Sequence, residues 1–292
     1  MSVASPCTGV CKLDESTGWC LGCGRTGYEI AEWRAYPELR REGIWDQIPD
    51  RLTQLGVSCR RLPWTTDQIR DLVVRSLKEG RAKCVIGVVG ATAEFSLPTE
   101  AEIDVAVEDD GVVARTRMGA ISMRINDHVR ALTFDPPGLE VERRIVLAVK
   151  REAGRLPVSK GLADLGDDDS ALLDDAGTRL FDLALGRKEG RFCVRVEDGA
   201  ARDALEKANG LAFADSLPKI GPALLAESPT RVVDSALGRI EVQGQIPLPG
   251  ARSPDGPHTH LLPDHLATGR ALPVGMDLPR AYLPGAIVFL KG

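Results

Sequence analysis

Four cysteines lie within the first 23 residues of this 292-residue chain, with the spacing Cys7-x3-Cys11-x8-Cys20-x2-Cys23. Each pair is close enough in sequence to direct two sulfurs at one centre, and the polar residues 12–19 can reverse the chain between the pairs. We expect no export signal at this N-terminus, and without one such spacing is more typical of metal ligation than of disulfides. The spacing therefore predicts one metal or iron–sulfur site with four thiolate ligands.

The residues around the last cysteine favour charged sulfur. Gly22 and Gly24 flank it and allow backbone amides to approach a sulfur closely. Thr26 and Glu29 match the capping-box pattern, which predicts that a helix begins directly after the cysteines. Because a helix N-terminus and the nearby Arg25 both stabilise thiolate over thiol, we expect an anionic cluster here.

The segment that follows predicts two short amphipathic helices closed by Gly56. A module of fewer than 60 residues with so few large apolar side chains rarely folds without a disulfide or metal cross-link. We therefore expect the thiolate site to have a structural role before any other.

Three parts of this segment resemble a known bacterial family. They are the run from Ser5 to Leu13, the run from Gly18 to Thr26, and Glu29 with the Glu32-Trp33 pair. Over about residues 5–55 the chain resembles the four-cysteine family called domain of unknown function 1289, which is usually described as a predicted iron–sulfur protein. The resemblance implies a metal or cluster site and no particular activity.

The residues themselves leave the identity of the metal open. Four thiolates around zinc and four around a cubane cluster in its usual oxidised state carry the same overall charge, so the neighbouring positive groups suit both. The spacing matches neither the ferredoxin run nor a standard zinc ribbon. The family description favours an iron–sulfur cluster, zinc is the alternative, and a metal-free cluster would be prone to oxidation.

A second candidate site contains three of the four histidines, within residues 255–265. If the chain is extended there, His258 and His260 point to the same face, and Asp264 or His265 could complete a site for a metal, an anion or a proton transfer. These histidines are the candidate catalytic residues. The alternative is a proline-rich loop whose histidines bond to nearby backbone.

The rest of the chain predicts a mixed α+β protein. A helix is expected from Thr65 to before Gly80, antiparallel strands with a D-G turn from about 83 to 134, and further strands at 192–196, 232–246 and 286–290. Helices are also expected over 139–153, 170–185 and 200–208. The predicted organisation is a small metal-stapled helical module (1–56), a linker (57–65) and a larger domain of antiparallel sheet and helices (66–292).

Composition limits the classes of partner. The hydrophobic content of 43% indicates a folded protein, and the net charge of −5 favours neither a nucleic acid nor an anionic membrane surface. No apolar run is long enough to cross a bilayer, so we expect a cytoplasmic protein. Cys59, Cys84 and Cys193 are isolated in sequence and are expected to be buried apolar residues.

The leading hypothesis is that the N-terminal module is an interaction or sensing unit with a protein partner. The alternatives are a structural zinc protein and an enzyme centred on His258 and His260.

Overall fold

The computed structural model describes residues 3–98, 101–109, 111–135, 144–154, 156–174, 178–186, 189–248, 251, 254–270, 272–273 and 275–290. Over these residues it is a mixed α+β protein with two antiparallel sheets, as predicted. Its helices are α1 (Gly27–Ala31), α2 (Glu38–Gln54), α3 (Thr66–Lys78), α4 (Ala200–Lys207), α5 (Phe213–Glu227) and α6 (Pro263–Thr268). None of these helices is long and apolar enough to span a membrane.

The strands form most of the body. In chain order they are β1 (Arg60–Arg61), β2 (Ala82–Val88), β3 (Ala91–Phe95), β4 (Asp104–Glu108), β5 (Gly111–Thr116), β6 (Gly119–Arg124), β7 (Val129–Thr133), β8 (Arg144–Lys150), β9 (Ala163–Asp167), β10 (Arg179–Asp182), β11 (Gly190–Val196), β12 (Thr230–Ser235), β13 (Gly238–Val242), β14 (His258–Leu261) and β15 (Tyr282–Leu290). One sheet has the order β1-β7-β8-β15-β2-β3-β14, and the other has the order β4-β5-β6-β13-β12-β11-β10-β9.

The main core lies between the two sheets, where β2 and β3 pack against β12 and β13. Every second side chain of β2 and β3 is buried in this core, and the intervening side chains are only partly buried. The partly buried positions include Lys83, Thr92 and Glu94, so a row of polar groups remains on the outer face near the edge strand β14. Helices α4 and α5 pack together at the same core.

The first 56 residues have a small core of their own, formed by Trp33, Ile44, Trp45, Ile48 and Leu52. Helix α1 is short and starts with the predicted capping box, and α2 ends shortly before Gly56 and contains Pro49. The predicted linker, residues 57–65, contains strand β1, which pairs with β7.

Several local predictions are confirmed. Thr65 caps α3 with the expected reciprocal bonds to Gln68. Strands β4 and β5 form the predicted hairpin, with Glu108 opposite Gly111, and β12 and β13 pair within the region predicted as strand, 232–246. The strands predicted at 192–196 and 286–290 and the helix at 200–208 are also present.

Two helix predictions are wrong. Residues 144–150, expected to be helical, form β8 between β7 and β15. The side chains from Ile145 to Val149 are all buried, and a continuous apolar run does not distinguish a strand covered on both faces from a helix. Within the predicted helix 170–185, residues 179–182 form β10. Residues 136–143 and 175–177 lie outside the described part of the chain.

Candidate functional site

The segments that carry the four cysteines pack directly against each other. A Cβ atom on Gly22 would lie 2.5 Å from the Val10 carbonyl oxygen and 2.7 Å from the Thr8 hydroxyl, so only glycine allows this approach. The Thr8 hydroxyl donates to the Gly22 carbonyl at 2.8 Å, and the Leu21 amide donates to the Lys12 carbonyl at 2.8 Å. The two cysteine pairs are therefore held side by side.

The turn between the pairs is fixed by Asp14. Its carboxylate accepts from the backbone amides and hydroxyls of Ser16 and Thr17. The hydrogen bond from the Ser16 hydroxyl, followed by those from Thr17, lowers the pKa of Asp14 to about 2. Antiparallel bridges between Leu13 and Cys20 and between Trp19 and Thr26 complete this turn.

Three of the four sulfurs accept hydrogen bonds from N–H groups. The Gly9 amide lies 3.4 Å from Cys7 Sγ, the Gly22 amide lies 3.4 Å from Cys20 Sγ, and Arg25 Nε lies 3.5 Å from Cys23 Sγ. Cys20 Sγ also lies 3.0 Å from the Val10 carbonyl, a contact that a thiol makes as donor and that a bound thiolate would give up. N–H groups directed at sulfur are the donors that stabilise metal-bound thiolates.

The four cysteines are hereafter called the cysteine patch (Cys7, Cys11, Cys20, Cys23), since Cys11 interacts electrostatically with Cys7 and Cys20, and Cys23 with Cys20. The neighbouring Cys7 raises the pKa of Cys11, with further contributions from burial and Cys20. Burial raises the pKa of Cys23 to about 11, and Arg25 works against this rise. Cys11 is exposed whereas Cys20 and Cys23 are buried, so the patch is open to solvent on one side. Within the described residues, no three of these sulfurs all lie within 4.8 Å of one another.

Two buried guanidinium groups adjoin the cysteine patch. Arg25 is 3% exposed, and besides its bond to Cys23 it stacks over the Trp33 ring at 4.8 Å. Arg61 is buried and donates to the Ser5 carbonyl, but its Nε has no hydrogen-bond partner. Burial lowers the pKa of Arg61 to about 10. Among the described residues neither group forms an ion pair with a carboxylate.

The body of the protein contacts the cysteine patch through β1 and β15. The Tyr282 hydroxyl donates to the Cys7 carbonyl at 3.4 Å, and a Cβ on Gly9 would lie 2.5 Å from Ala281 Cβ. Tyr282 also lines a cleft of about 310 Å³, together with Arg151, Glu189, Arg270 and Asp277. A side chain of the main sheet thus connects the cysteine segment to a charged cleft.

The histidine candidates are brought together with a residue that the sequence did not suggest. Strand β14 pairs with β3 so that His258 lies opposite Glu94 and His260 lies opposite Thr92. His258 Nε2 is 2.7 Å from His260 Nε2 and 3.9 Å from a Glu94 carboxylate oxygen. These donor atoms all lie within 4.8 Å of one another. The sequence contains one signal for Glu94, because it is a polar residue in an alternating strand. It contains no signal for the register that places Glu94 opposite His258.

The histidine pair is held by its surroundings. His258 is 6% exposed, and its Nδ1 lies 2.7 Å from the Gly256 carbonyl. Burial, followed by the charge of His258, lowers the pKa of His260, which favours the neutral imidazole at neutral pH. His265 and Asp264 lie on α6, and the three-residue group does not include them. His265 instead lines a pocket of about 140 Å³ that also contacts Lys83 and Thr92.

The isolated cysteines are buried, as predicted. Burial raises the pKa of Cys59 and of Cys84 to about 12 each, and it raises that of Cys193 well above the usual value. Because the thiolate is the reactive form of cysteine, burial disfavours reactions at these three thiols.

Two family models match the chain. Residues 68–290 match the model described as "Family of unknown function (DUF6925)", and residues 5–52 match the model described as "Protein of unknown function (DUF1289)". The second match confirms the resemblance of the four-cysteine segment. No curated protein and no solved structure matches the chain.

Proposed function

We propose a metal-dependent sensing or interaction role for this chain, which belongs to the family of unknown function DUF6925 and carries a DUF1289 segment at its N-terminus. In this proposal the cysteine patch holds an iron–sulfur cluster. The cluster stabilises the N-terminal module, and its presence or redox state affects the structure of the two-sheet body.

The observation that carries the proposal is the charge arrangement around the sulfurs. A buried guanidinium without a counter-charge costs several kcal/mol, on the order of 3–5 when one partner of a buried pair is missing. Arg25 and Arg61 are both buried beside the cysteine patch and have no carboxylate partner among the described residues. A four-thiolate centre of either kind would carry a net charge of about −2. Such a centre would balance both arginines at once.

The donor set fits the group in question. Each sulfur would be a thiolate ligand, and the amides of Gly9 and Gly22 together with Arg25 would stabilise three of them through N–H bonds to sulfur. When bound, an iron–sulfur cluster supplies one-electron redox chemistry. The solvent-exposed position of Cys11 gives an oxidant or a redox partner access to the site.

The contact with Tyr282 is the proposed route to the body. Assembly of a centre fixes the backbone around Cys7, whose carbonyl accepts from the Tyr282 hydroxyl. Tyr282 belongs to β15 in the middle of the seven-stranded sheet and lines the charged cleft. We therefore propose that the cleft responds to the centre. Binding of a ligand or partner in the cleft would depend on whether the centre is present and on its redox state.

The module also offers apolar side chains for a protein partner. Leu13, Tyr28 and Leu39 are 46%, 69% and 81% exposed, and Leu13 lies close to Gly27, next to Tyr28. A partner that covers these side chains is expected to bind the Tyr28→Ser/Leu39→Ser double variant more weakly while its metal content is unchanged. A double variant that binds as tightly as the wild type removes this surface from the proposal.

The test is a metal inventory of the full-length protein purified without oxygen. We expect iron and sulfide in the chain, with visible absorption, and their loss in Cys20→Ser. The matched control is Cys59→Ala, which changes a buried cysteine outside the patch and should keep the iron. Colourless protein with one zinc per chain selects the structural zinc alternative. A folded protein with neither metal overturns the proposal.

A further inference from the structure

The edge of the seven-stranded sheet carries three metal-binding donors on one face. Successive side chains of a strand point to opposite faces, so His258 and His260, two residues apart, share a face of β14. Glu94 lies directly opposite His258 on β3 and diagonally opposite His260, which places its carboxylate on the same face. From this placement we infer that Glu94, His258 and His260 form a second metal site, distinct from the cysteine patch.

The distances suit a small ion. For metal–nitrogen bonds of about 2.0–2.1 Å, tetrahedral geometry separates the donor atoms by about 3.4 Å. The separations are 2.7 Å between the two Nε2 atoms and 3.9 Å between His258 Nε2 and the Glu94 oxygen, which lie on either side of that value. His260 is partly exposed on an edge strand, so its ring can turn by the fraction of an ångström that is needed.

The surroundings prepare His258 as a ligand. Its Nδ1 is 2.7 Å from the Gly256 carbonyl oxygen, which can only accept, so the ring proton lies on Nδ1 and the lone pair on Nε2. An imidazole that donates from its second nitrogen to a backbone carbonyl is the usual outer support of a metal-bound histidine. The positive φ of Gly256, 93°, turns its peptide into this position.

The donors define the class of metal. Two imidazole nitrogens and one carboxylate oxygen suit divalent first-row transition ions such as Zn²⁺ or Fe²⁺, whereas Ca²⁺ and Mg²⁺ prefer oxygen ligands. Three protein ligands leave at least one position for water or a small ligand. The pocket lined by His265 contacts Lys83 and Thr92 on the same outer face, so a small molecule could reach the ion from there.

One neighbouring charge, that of Lys83, opposes metal binding. The Lys83 ammonium lies 3.2 Å from the Glu94 carboxylate and competes for the same oxygen. Lys83 is only half-buried, and its long side chain can move aside toward solvent. Removing its charge should therefore strengthen metal binding, a gain that a purely structural ion pair does not predict.

The test uses Co²⁺ as a spectroscopic probe, added to full-length protein whose cysteine patch is already loaded. We expect one further Co²⁺ per chain, with a visible spectrum of nitrogen and oxygen ligands and no thiolate charge-transfer band. His260→Ala and Glu94→Gln should weaken this binding by more than about 100-fold, because even an outer-shell partner contributes about 10- to 100-fold. His128→Ala is the matched control and should bind as the wild type does.

The outcomes are separable from those of the cysteine patch. Cys20→Ser should lose the iron and keep the added Co²⁺, whereas His260→Ala should do the reverse. If His260→Ala does not fold, Lys83→Gln decides: tighter Co²⁺ binding supports the site, and unchanged or weaker binding contradicts it. Wild-type protein that takes up no Co²⁺, or equal uptake by His260→Ala and His128→Ala, overturns the inference and leaves a hydrogen-bonded histidine pair.

Discussion

At the scale of residues, the two buried arginines beside the cysteine patch are as important to the proposed metal site as its four sulfurs. Arg25 and Arg61 are buried next to thiols, and a neutral site offers them no counter-charge to offset the loss of hydration. With an anionic centre in place the same burial becomes favourable. The effect of removing one of these charges should therefore depend on whether the metal is bound.

Arg25→Met tests this dependence. In the loaded protein we expect a loss of about 3–5 kcal/mol in the free energy of unfolding, as for one partner of a buried ion pair. In the metal-free protein the substitution should be neutral or stabilising, because it removes an unpaired buried charge. Thermal unfolding of both forms measures the difference.

The control for this experiment is Arg40→Met. Arg40 also stacks on an aromatic ring, that of Tyr36 at 4.8 Å, but it is exposed and lies on α2. Its removal should have the same small effect with and without metal. Equal losses in both forms for Arg25→Met would show that the guanidinium serves packing and not charge balance.

At the scale of elements, Glu29 ties the two helices of the N-terminal module. It completes the capping box of α1 through the Thr26 amide and accepts from Arg51 of α2 at 2.7 Å. Burial acts to raise the pKa of Glu29, but the hydrogen bonds from Arg51 and Thr26 prevail and lower it. The group therefore contributes stability above its unfolded pKa of about 4.3, and this contribution is lost as the pH falls through the lowered folded value.

Glu29→Gln should cost about 1.5–3 kcal/mol at pH 7, the contribution of hydrogen bonds to a charged group. The cost should shrink below pH 4, where the wild-type carboxylate itself becomes protonated. Urea unfolding of wild type and variant at the two pH values measures it. Glu42→Gln, an exposed position of α2, is the control. If the stability cost of Glu29→Gln does not change with pH, the ion pair with Arg51 adds nothing to the free energy of unfolding beyond the helix cap.

Elements with local signals could be predicted from the sequence, and elements fixed by distant contacts could not. The capping boxes at Thr26 and Thr65 and the hairpin between β4 and β5 follow from a few neighbouring residues. Strand β8 has no alternation because it is buried on both faces. Helix α5 was missed because Pro218 and Pro222 lie inside it, where proline normally ends a helix.

The same distinction applies to the sites. The cysteine patch could be predicted because its four candidate ligands lie within 17 consecutive residues, 7–23, and follow a family pattern. Only two of the three residues in the group at the sheet edge could be predicted from the sequence. The H-x-H spacing indicates two donors, but Glu94 joins them through the pairing of β3 with β14, which no local pattern specifies.

At the scale of the whole molecule, the two matched segments meet at β15. Cys7 contacts Tyr282, Gly9 lies against Ala281, and Arg61 of β1 donates to Ser5. The four-cysteine segment is thus packed on the sheet and does not depend on its own small core alone. A change at the proposed metal centre would therefore reach the body without a moving linker.

Tyr282→Phe should interrupt this communication. The variant loses the hydroxyl that donates to Cys7 but keeps the ring, so metal content should be unchanged. Hydrogen exchange of residues 279–284 should differ between loaded and metal-free protein in the wild type, and much less in the variant. Tyr36→Phe is the control, because the Tyr36 hydroxyl is buried without a hydrogen-bond partner in the same module. A variant that responds to loading as the wild type does would contradict the route through Tyr282.

The most direct test of the central claim is X-ray absorption at the edge of the metal held by the N-terminal segment. In the His260→Ala variant, which lacks the proposed second metal site, we expect a first shell made only of sulfur, at about 2.3 Å for zinc, with a second shell of iron for a cluster. Adding Cys20→Ser to the His260→Ala variant should remove this metal. Nitrogen or oxygen in the first shell of the His260→Ala variant, or a spectrum unaffected by Cys20→Ser, would contradict a four-cysteine centre.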